Sequence, residues 1–423
     1  MNYSTMSPSQ LKEEYEELNK EYELVLSKGL KLDMSRGKPC KAQLDLTNDM
    51  LNSLSDSSDC FSQNGTDYRN YGIMDGIPEA KQLFAPMLNV SEDELIVFGN
   101  SSLNIMYDTI IKSMQFGVLG STPWSKLDKV KFICPVPGYD RHFAICEAMG
   151  IEMINVKMNQ DGPDMDAVEK LVSEDESIKG IWCVPKYSNP DGITYSDQVV
   201  KRMANLKPKA NDFRIFWDNA YVVHDFTNPD TLMDIFAELK KNNKQDMIYM
   251  FASTSKISFP GSGVAVMAAS ENNISAIKKM MFFQTISHDK LNQMRHVKFF
   301  KNFDGILEHM KKHAEIIMPK FDIVCNTLEK ELGPCNIAKW KKPNGGYFVS
   351  LFLPDNCAKR TAELCKKAGV VLTGAGATFP YGKDPHDNNL RISPTFPPNH
   401  ELQEAMNVLC LCSKIAALEQ AMK

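Results

Sequence analysis

The sequence predicts an α/β protein with a mostly parallel central sheet, flanked by helices, and a smaller α+β domain. Two observations carry this prediction. Between about residues 90 and 270, short apolar runs rich in β-branched and aromatic residues alternate with segments of helical periodicity. After about Phe303, long amphipathic helices dominate and few strand-like runs remain. Strands that alternate with helices favour parallel pairing, because each connecting helix packs back onto the sheet.

The chain begins with a predicted helix. Ser7 or Ser9 can cap its N-terminus, and Gly29 is placed to end it. Its apolar residues fall on one face: Leu11, Tyr15, Leu18 and Tyr22. We expect this helix to fold with the C-terminal part of the chain, because neither end resembles a complete domain.

The predicted strands of the central part are ELIVFG, KVKFICPVP, EMINVKM, IKGIWCVPKY, FRIFWDNAY, MIYMFASTSK and GVAVMAAS, and those of the later part are GGYFVSLFL and VVLTG. We divide the chain into an N-terminal segment that packs with the small domain (residues 1–65), a large domain (66–305) and a C-terminal small domain (306–423).

Composition excludes several classes of partner. The net charge is −5 and the pI is about 6.0, which does not suggest a nucleic-acid or anionic-membrane surface. The longest apolar runs, such as residues 263–269, are too short to cross a bilayer. The N-terminus has no signal-peptide pattern, and the 11 cysteines are dispersed, so we expect a soluble cytoplasmic protein.

Polar side chains follow the predicted strands. Asn189 comes after IKGIWCVPKY, Asp218 and Tyr221 end FRIFWDNAY, and Ser253 and Lys256 end MIYMFASTSK. In open α/β sheets, ligands bind outside the carboxyl ends of the strands. These residues are therefore expected to meet around one ligand.

Each of these residues has an ordinary alternative. A lysine among serines and glycines is commonly a surface lysine, but Lys256 follows an apolar strand, where a desolvated amine can be reactive. Asp218 follows a nearly wholly apolar run and needs a cationic partner. That partner could be a lysine or arginine, or the protonated ring nitrogen of a pyridine cofactor.

Residues 99–102, Gly-Asn-Ser-Ser, follow a predicted strand and open a predicted helix. Small residues at a helix N-terminus expose backbone N–H groups and the positive end of the helix dipole, which favours phosphate. The alternative is that Asn and Ser simply cap the helix.

An ordered set of motifs resembles the fold-type I, pyridoxal-phosphate-dependent aminotransferases of class I/II over nearly the whole chain. The motifs are YRNYGIMDGIPEAKQLF, PGYDRHFAI, YSNPDGITYS, DNAYVVHDF, STSK, PNGGYFVSL and LRIS. The segments MSRGKP, GNSSLNIMYD and HDKLNQMRHVKF are most similar in sequence to a divergent bacterial subgroup of aspartate aminotransferases.

The resemblance implies pyridoxal 5′-phosphate as cofactor, bound to Lys256 as a Schiff base, with Lys256, Asp218 and Tyr221 as catalytic residues. Asp218 would pair with the pyridine nitrogen, and Asn189 and Tyr221 with the 3′-oxygen. The remaining implied contacts are ring stacking by Tyr139 and phosphate binding by Ser101, Ser102 and Ser253. The resemblance also implies a homodimer with shared active sites, in which Tyr71 reaches the neighbouring subunit's phosphate.

For the substrate, the resemblance implies that Arg391 binds the α-carboxylate, with Asn189 nearby and Gly37 allowing close approach of the backbone. It favours aspartate as amino donor and 2-oxoglutarate as acceptor. A dicarboxylate needs a second cationic contact. The candidates from their position in the sequence are Arg36, Arg141, Lys290 and Arg295.

One position departs from the family pattern. An arginine that contacts the phosphate commonly follows the lysine, but the corresponding stretch here is PGSGVAV, with Gly263 near the expected place. Serine hydroxyls, backbone amides or another cation would have to bind the phosphate instead.

His309 and His313 stand four residues apart in LEHMKKH, which places both on one helix face. Because the motif is not H-E-x-x-H and its neighbours are cationic, we expect a solvated helix face and no metal site. For His142, after PGYD, we expect packing or a salt bridge.

Two rival functions remain. A β-lyase, or an aminotransferase for neutral or aromatic amino acids, would use the same cofactor chemistry. A ligand-sensing transcriptional regulator would need an N-terminal DNA-binding domain, and only about thirty residues, acidic on balance, precede RGKP.

Overall fold

The predicted alternation of strands and helices is present in the computed structural model, which describes residues 2–423. The helices within these residues are α1 Pro8–Ser27, α2 Lys41–Asp45, α3 Pro78–Leu88, α4 Ser102–Phe116, α5 Asp140–Ala148, α6 Met165–Glu174, α7 Asp197–Ala204, α8 Ile235–Lys241, α9 Glu271–Met281, α10 Lys290–Phe300, α11 Phe303–Glu331, α12 Ala358–Lys367 and α13 Asn399–Ala421. The strands are β1 Leu32–Met34, β2 Leu95–Val97, β3 Lys131–Val136, β4 Glu152–Asn159, β5 Gly162–Pro163, β6 Ile178–Cys183, β7 Arg214–Asp218, β8 Ile248–Ser253, β9 Ala265–Ala268, β10 Lys339–Trp340, β11 Val349–Phe352, β12 Val370–Leu372 and β13 Asn389–Ile392.

The central sheet has eight strands in the order β2-β9-β8-β7-β6-β3-β4-β5. Its middle is parallel from β4 to β8, and the strands at both edges pair antiparallel. The predicted α/β class with a mostly parallel sheet is confirmed. The parallel strands end at the same edge, so the polar residues that follow them are brought together.

Both faces of this sheet are covered, which explains why its strands are apolar at nearly every position. Along β7, Ile215 and Trp217 join one apolar cluster, whereas Phe216 joins another. Successive side chains of a strand point to opposite faces, so a strand buried on both sides shows no alternation of polarity.

The second lobe contains an antiparallel sheet, β10-β11-β13, and a parallel pair, β1 with β12. Helix α1 packs into its apolar core through Leu11, Leu18, Tyr22 and Val25. Ser7 caps α1 in a reciprocal capping box with Gln10. The Tyr22 hydroxyl donates to the Leu364 carbonyl at 2.8 Å.

The division of the chain into domains at residues 1–65, 66–305 and 306–423 stays a prediction.

The expectation of a solvated face at His309 and His313 is wrong. Both side chains are buried on α11, in line with Ile306, Met310 and Ile317. Their cationic neighbours in sequence point to the opposite face, because residues three and four apart share a helix face and adjacent residues do not.

The cysteines at all 11 positions are free thiols. Among residues 2–423, every helix is too short or too polar to cross a bilayer.

Candidate active site

A cavity of about 400 Å³ lies at the carboxyl edge of the parallel strands. Its walls come from the ends of β6, β7 and β8, the N-termini of α4 and α5, and the second lobe. Ten of the residues predicted from sequence line it: Gly37, Ser101, Ser102, Tyr139, Asn189, Asp218, Tyr221, Ser253, Lys256 and Arg391. Tyr71 does not line it, and 82% of this residue is exposed.

Lys256 lies in a single turn after β8, residues 254–258, which we call the lysine turn. Its Nζ is 5.0 Å from the ring centre of Tyr221 and 5.9 Å from that of Tyr347. Burial lowers the pKa of the amine, and the negative charge of Asp218 partly opposes this effect. A lowered pKa leaves more of the amine neutral, which is the form that can act as a nucleophile or base.

Asp218 ends β7 and is buried. One carboxylate oxygen, Oδ2, lies 3.1 Å from Nε2 of His142, and the His142 ring stacks on Trp182 with 4.4 Å between ring centres. The other oxygen, Oδ1, is buried and has no hydrogen-bond partner among the described residues. A buried carboxylate oxygen without a donor is costly, so this atom marks a place for one.

Two tyrosines border the cavity. Tyr139 is the N-cap residue of α5, and burial raises the pKa of its phenol to about 12, with a smaller contribution from Asp218. Burial also raises the pKa of Tyr221 well above its ordinary value. Both phenols therefore keep their protons at neutral pH and are available as hydrogen-bond donors.

Arg391 comes from β13 in the second lobe. Its Nη1 donates to Asp140 Oδ1 and Asn189 Oδ1, both at 3.2 Å, and its Nη2 donates to Thr373 at 3.3 Å. The guanidinium lies 4.8 Å from the ring centre of Phe348, and Nε is buried without a partner. The head group is oriented but keeps hydrogen-bonding capacity for an anion.

A further set of residues lining the cavity carries hydroxyl and backbone amide groups. Helix α4 begins at Ser102, and the hydroxyl of its N-cap residue, Ser101, makes no capping hydrogen bond. Ser253 Oγ donates to Ser255 Oγ at 3.1 Å, and Ser255 Oγ donates to the Asn100 carbonyl at 3.3 Å. Free hydroxyls at a helix N-terminus suit a phosphate group.

The structure divides the four candidates for a second carboxylate contact into those that line the cavity and those that do not. Arg36 and Arg141 line the cavity. Lys290 does not; it is buried, and its Nζ donates to Ser287 Oγ at 3.1 Å. Arg295 does not line it either, and its Nε is buried. Within one chain, Arg36 and Arg141 are therefore the two candidates that line the cavity.

Several lining residues were missed from sequence. Ser255 could have been found, because it lies beside Lys256 in the same STSK motif. Asp140, Phe348 and Thr373 carried no separate signal, since their roles depend on contacts with Arg391 that form only in the folded chain.

A model of the aspartate amino-transferase family matches residues 6–423. The chain belongs to this family. The aminotransferase is 43% identical to an aspartate aminotransferase of Corynebacterium glutamicum over 407 residues, which is 96% of this chain and 94% of that protein. The crystal structure of an aspartate transaminase from Corynebacterium glutamicum superposes with a TM-score of 0.97 and 41% identity, covering 100% of this chain and 99% of the other.

A more distant structure shares the fold of this aminotransferase. An α-aminoadipate aminotransferase of Thermus thermophilus, solved with N-(5′-phosphopyridoxyl)-L-leucine, superposes with a TM-score of 0.74 at 19% identity, over 93% of this chain and 94% of that one. The family match and the two Corynebacterium glutamicum comparisons confirm the resemblance inferred from the ordered motifs.

Proposed function

We propose that this aminotransferase uses pyridoxal 5′-phosphate bound at Lys256 and transfers the amino group of aspartate to 2-oxoglutarate. The observation that carries the cofactor proposal is the buried, unpartnered Oδ1 of Asp218, which shares one cavity with the Lys256 amine. A protonated pyridine nitrogen would supply the missing donor. When bound, the cofactor withdraws electrons from the Cα of the amino acid through that ring.

The residues of the cavity fit the three parts of pyridoxal phosphate: its phosphate, its ring with the oxygen substituent, and the aldehyde that would bind Lys256. Ser101, Ser102 and Ser253, with the amides that open α4, would bind the phosphate, and Ser255 adds a fourth hydroxyl. Gly263 contributes no side chain there, so these neutral groups would replace the cation that the family commonly uses. Hydroxyls and amides at a helix N-terminus are sufficient donors for phosphate.

Tyr139, Asn189 and Tyr221 line the cavity and would hold the ring, Tyr139 by stacking and the other two at its oxygen substituent. Both side chains can donate a hydrogen bond to that oxygen. The His142 contact orients the Asp218 carboxylate so that one oxygen stays free. His142 is thus a positioning residue for Asp218.

Lys256 would have two tasks. Its amine would hold the cofactor covalently, and in its free, neutral form it would accept a proton from the substrate Cα and donate it back. Both tasks need the neutral amine, and the lowered pKa supports this.

Arg391 would bind the substrate α-carboxylate. Asp140, Asn189 and Phe348 fix the guanidinium, and its unpartnered Nε supplies one donor. A fixed, planar guanidinium selects a carboxylate by paired charge-assisted hydrogen bonds.

Aspartate specificity rests on a second cation. Arg36 and Arg141 both line the cavity and are exposed, and neither is among the ion pairs found within residues 2–423. An exposed arginine at the mouth of a cavity can bind a second carboxylate without losing an existing partner. The similarity to aspartate aminotransferases of Corynebacterium glutamicum supports the same substrate.

The cofactor proposal is tested by borohydride reduction of the holoenzyme followed by peptide mapping. The pyridoxyl group should be found on Lys256, and Lys256→Ala should lose transamination while still binding the cofactor loosely. Lys186→Ala and Lys290→Ala are the controls. A label on Lys186 or Lys290 would refute the assignment.

The substrate proposal is tested by half-reactions with single amino acids and by product analysis. Keto acid plus a new amino acid indicates transamination, whereas ammonia plus pyruvate indicates a β-lyase.

Arg36→Gln or Arg141→Gln should reduce kcat/KM for aspartate by about 10- to 150-fold, equivalent to roughly 1.5–3 kcal/mol, and leave kcat/KM for alanine nearly unchanged. Arg202→Gln is the control, because Arg202 lies on α7 outside the cavity lining and pairs with Asp166 and Glu169. Better turnover of phenylalanine or alanine than of aspartate by the unmodified enzyme contradicts the proposal.

We also propose a homodimer with shared active sites. Tyr71 is outside the cavity of its own chain, and several large apolar residues are exposed: Phe282, Phe283 and Ile286. Exposed apolar side chains of this size are typical of an interface. A fully active monomer in sedimentation would contradict this proposal.

A further inference from the structure

The lysine turn (residues 254–258) is held by side chains that do not line the cavity. The backbone N–H groups of Ile257 and Ser258 both donate to the Thr254 carbonyl, at 2.9 and 2.8 Å. In addition, three consecutive residues, Lys256, Ile257 and Ser258, each contact a buried histidine. We call His224, His296, His309 and His313 the histidine cluster.

His224 contacts the backbone of the lysine itself. Its Nε2 lies 3.3 Å from the Lys256 carbonyl oxygen. Because a carbonyl only accepts, Nε2 must carry the proton. Nδ1 is buried without a partner, so the ring is neutral, and burial lowers its pKa well below the ordinary value.

His296, on α10, contacts the other end of the turn. Its Nδ1 donates to the Asn292 carbonyl at 2.7 Å, which leaves Nε2 as an acceptor. Nε2 lies 2.8 Å from Ser258 Oγ and 3.1 Å from Thr254 Oγ1. Burial lowers the pKa of His296 to about 4, so the acceptor is available at neutral pH.

His309 and His313, on α11, contact the middle of the turn as a pair. Their Nε2 atoms are 3.1 Å apart, and His309 Nε2 is 3.0 Å from the Ile257 carbonyl oxygen. The Ile257 carbonyl only accepts, so His309 Nε2 carries the proton and donates to it. Gln43 Nε2 lies 3.1 Å from His313 Nδ1 and connects the pair to α2.

Resting on the proposed role of Lys256, we propose that the histidine cluster consists of positioning residues that fix the lysine turn and hence the direction of the Lys256 amine. They come from three separate segments: the loop after β7, α10 and α11. None of them lines the cavity, so they act through Lys256 and not on the reacting atoms. Neutral imidazoles can donate and accept here without adding charge beside the amine.

The test uses paired variants at two positions. His296→Leu and His309→Leu remove the hydrogen bonds, whereas His296→Gln and His309→Gln keep an amide that can replace them. Met310→Ala, buried on α11, is the control for a loss of packing alone. In the holoenzyme, the leucine variants should lower kcat at least tenfold and leave KM for aspartate within twofold, because Arg391 is untouched. The glutamine variants should retain kcat within threefold.

A second measurement is independent of the cofactor. The apoprotein is trace-labelled with acetic anhydride, and the acetylation of Lys256 relative to exposed Lys20 is measured by mass spectrometry. The leucine variants should change this ratio at least fivefold, and Met310→Ala should leave it within twofold. Where a leucine variant does not fold, His309→Asn, whose amide is shorter than that of glutamine, takes its place under the same criteria.

The inference is overturned if kcat and the labelling ratio of the leucine variants both stay within twofold of the wild-type values. It is also overturned if Met310→Ala changes kcat and the ratio as much as the leucine variants do. Failure of the proposed function has a different signature. In that case borohydride would not attach a pyridoxyl group to Lys256 in the unmodified holoenzyme, whatever the histidine variants show.

Discussion

At the scale of single residues, Gly37 shows how tightly the proposed substrate arginine is packed. A Cβ added at Gly37 would lie 2.4 Å from Cζ of Phe348, the ring on which Arg391 stacks. Gly37→Ala must therefore displace the ring and with it the guanidinium. We expect KM for the amino donor to rise about tenfold, or about 1.4 kcal/mol of binding.

Steady-state kinetics with aspartate measure this effect. Gly374→Ala is the matched control, because a Cβ at Gly374 has no atom within 4 Å. An unchanged KM in Gly37→Ala would mean that the ring can move without disturbing Arg391.

Asp191 gives a prediction about pH. Burial raises the pKa of this carboxyl to about 7, and its Oδ1 has no partner. Because the folded-state pKa lies above the unfolded one, its contribution to stability is complete below the unfolded pKa and is lost as pH rises through 7. Asp191→Asn removes this loss, so its stability relative to wild type should increase between pH 5 and pH 8 by about 2.7 kcal/mol, because two of these pH units lie below the folded pKa.

Urea unfolding at the two pH values tests the prediction, with exposed Asp128→Asn as a control that should show no such difference. Parallel pH dependences for wild type and Asp191→Asn would show that Asp191 stays ionised when folded.

Most residues of the cavity could be predicted from the sequence, because polar residues that follow apolar strands are recognisable in the chain itself. The sequence could not separate Arg36 and Arg141 from Lys290 and Arg295. All four are cations in suitable segments, and only the direction of each side chain divides them. The pairing of His142 with Asp218 likewise joins residues 76 positions apart.

At the scale of secondary-structure elements, the connection from β8 to β9 differs from the family pattern at Gly263. A Cβ there would lie 3.1 Å from Thr254 Oγ1 and 3.2 Å from the carbonyl oxygens of Asn100 and Phe259. We predict that Gly263→Arg does not restore a phosphate contact. It should destabilise the fold by about 1–3 kcal/mol, typical of overpacking, and speed cofactor loss.

Thermal unfolding and the rate of cofactor release on dialysis measure these effects. Gly263→Ala should share the destabilisation, whereas Gly261→Ala, with open space around its Cβ, should not. Slower cofactor release from Gly263→Arg than from wild type would contradict the prediction.

Element prediction succeeded where apolar runs were long. The short strands β1, β5, β10 and β13 were not among the predicted strands, because pairing with a neighbour defines them more than their own residues do. The burial of His309 and His313 was missed for another reason. Because histidine is polar and lysines adjoin both positions, we expected the two side chains to be exposed to solvent. Their spacing from Ile306, Met310 and Ile317, however, already placed them on the buried face of the helix.

At the scale of the whole molecule, shared active sites can be tested with hybrid dimers. Equal amounts of Lys256→Ala and Tyr71→Ala protomers, each inactive alone, should regain about a quarter of wild-type activity, because half of the dimers are hybrids with one intact site. The matched control mixes Lys256→Ala with Asp218→Asn. Both of these residues line the same cavity, so every hybrid site stays defective. Equal recovery in the two mixtures would refute sharing.

The packing of distant segments into one lobe was the feature of the fold that the sequence predicted least well. Apolar periodicity showed that α1 has a buried face but not which element covers it. The answer depends on contacts such as that between Tyr15 and Glu419 on α13, which no local pattern records.

The pairing of α1 with α13 also constrains the order of folding. The Tyr15 hydroxyl and the Glu419 carboxylate it contacts are 404 residues apart in the chain. During synthesis α1 is among the first helices made, yet the partner that covers its apolar face is made almost last. Loop closure over such a span is slow, and an uncovered apolar face favours aggregation. The nascent chain therefore has a long interval in which a chaperone that shields this helix would raise the yield of folded enzyme.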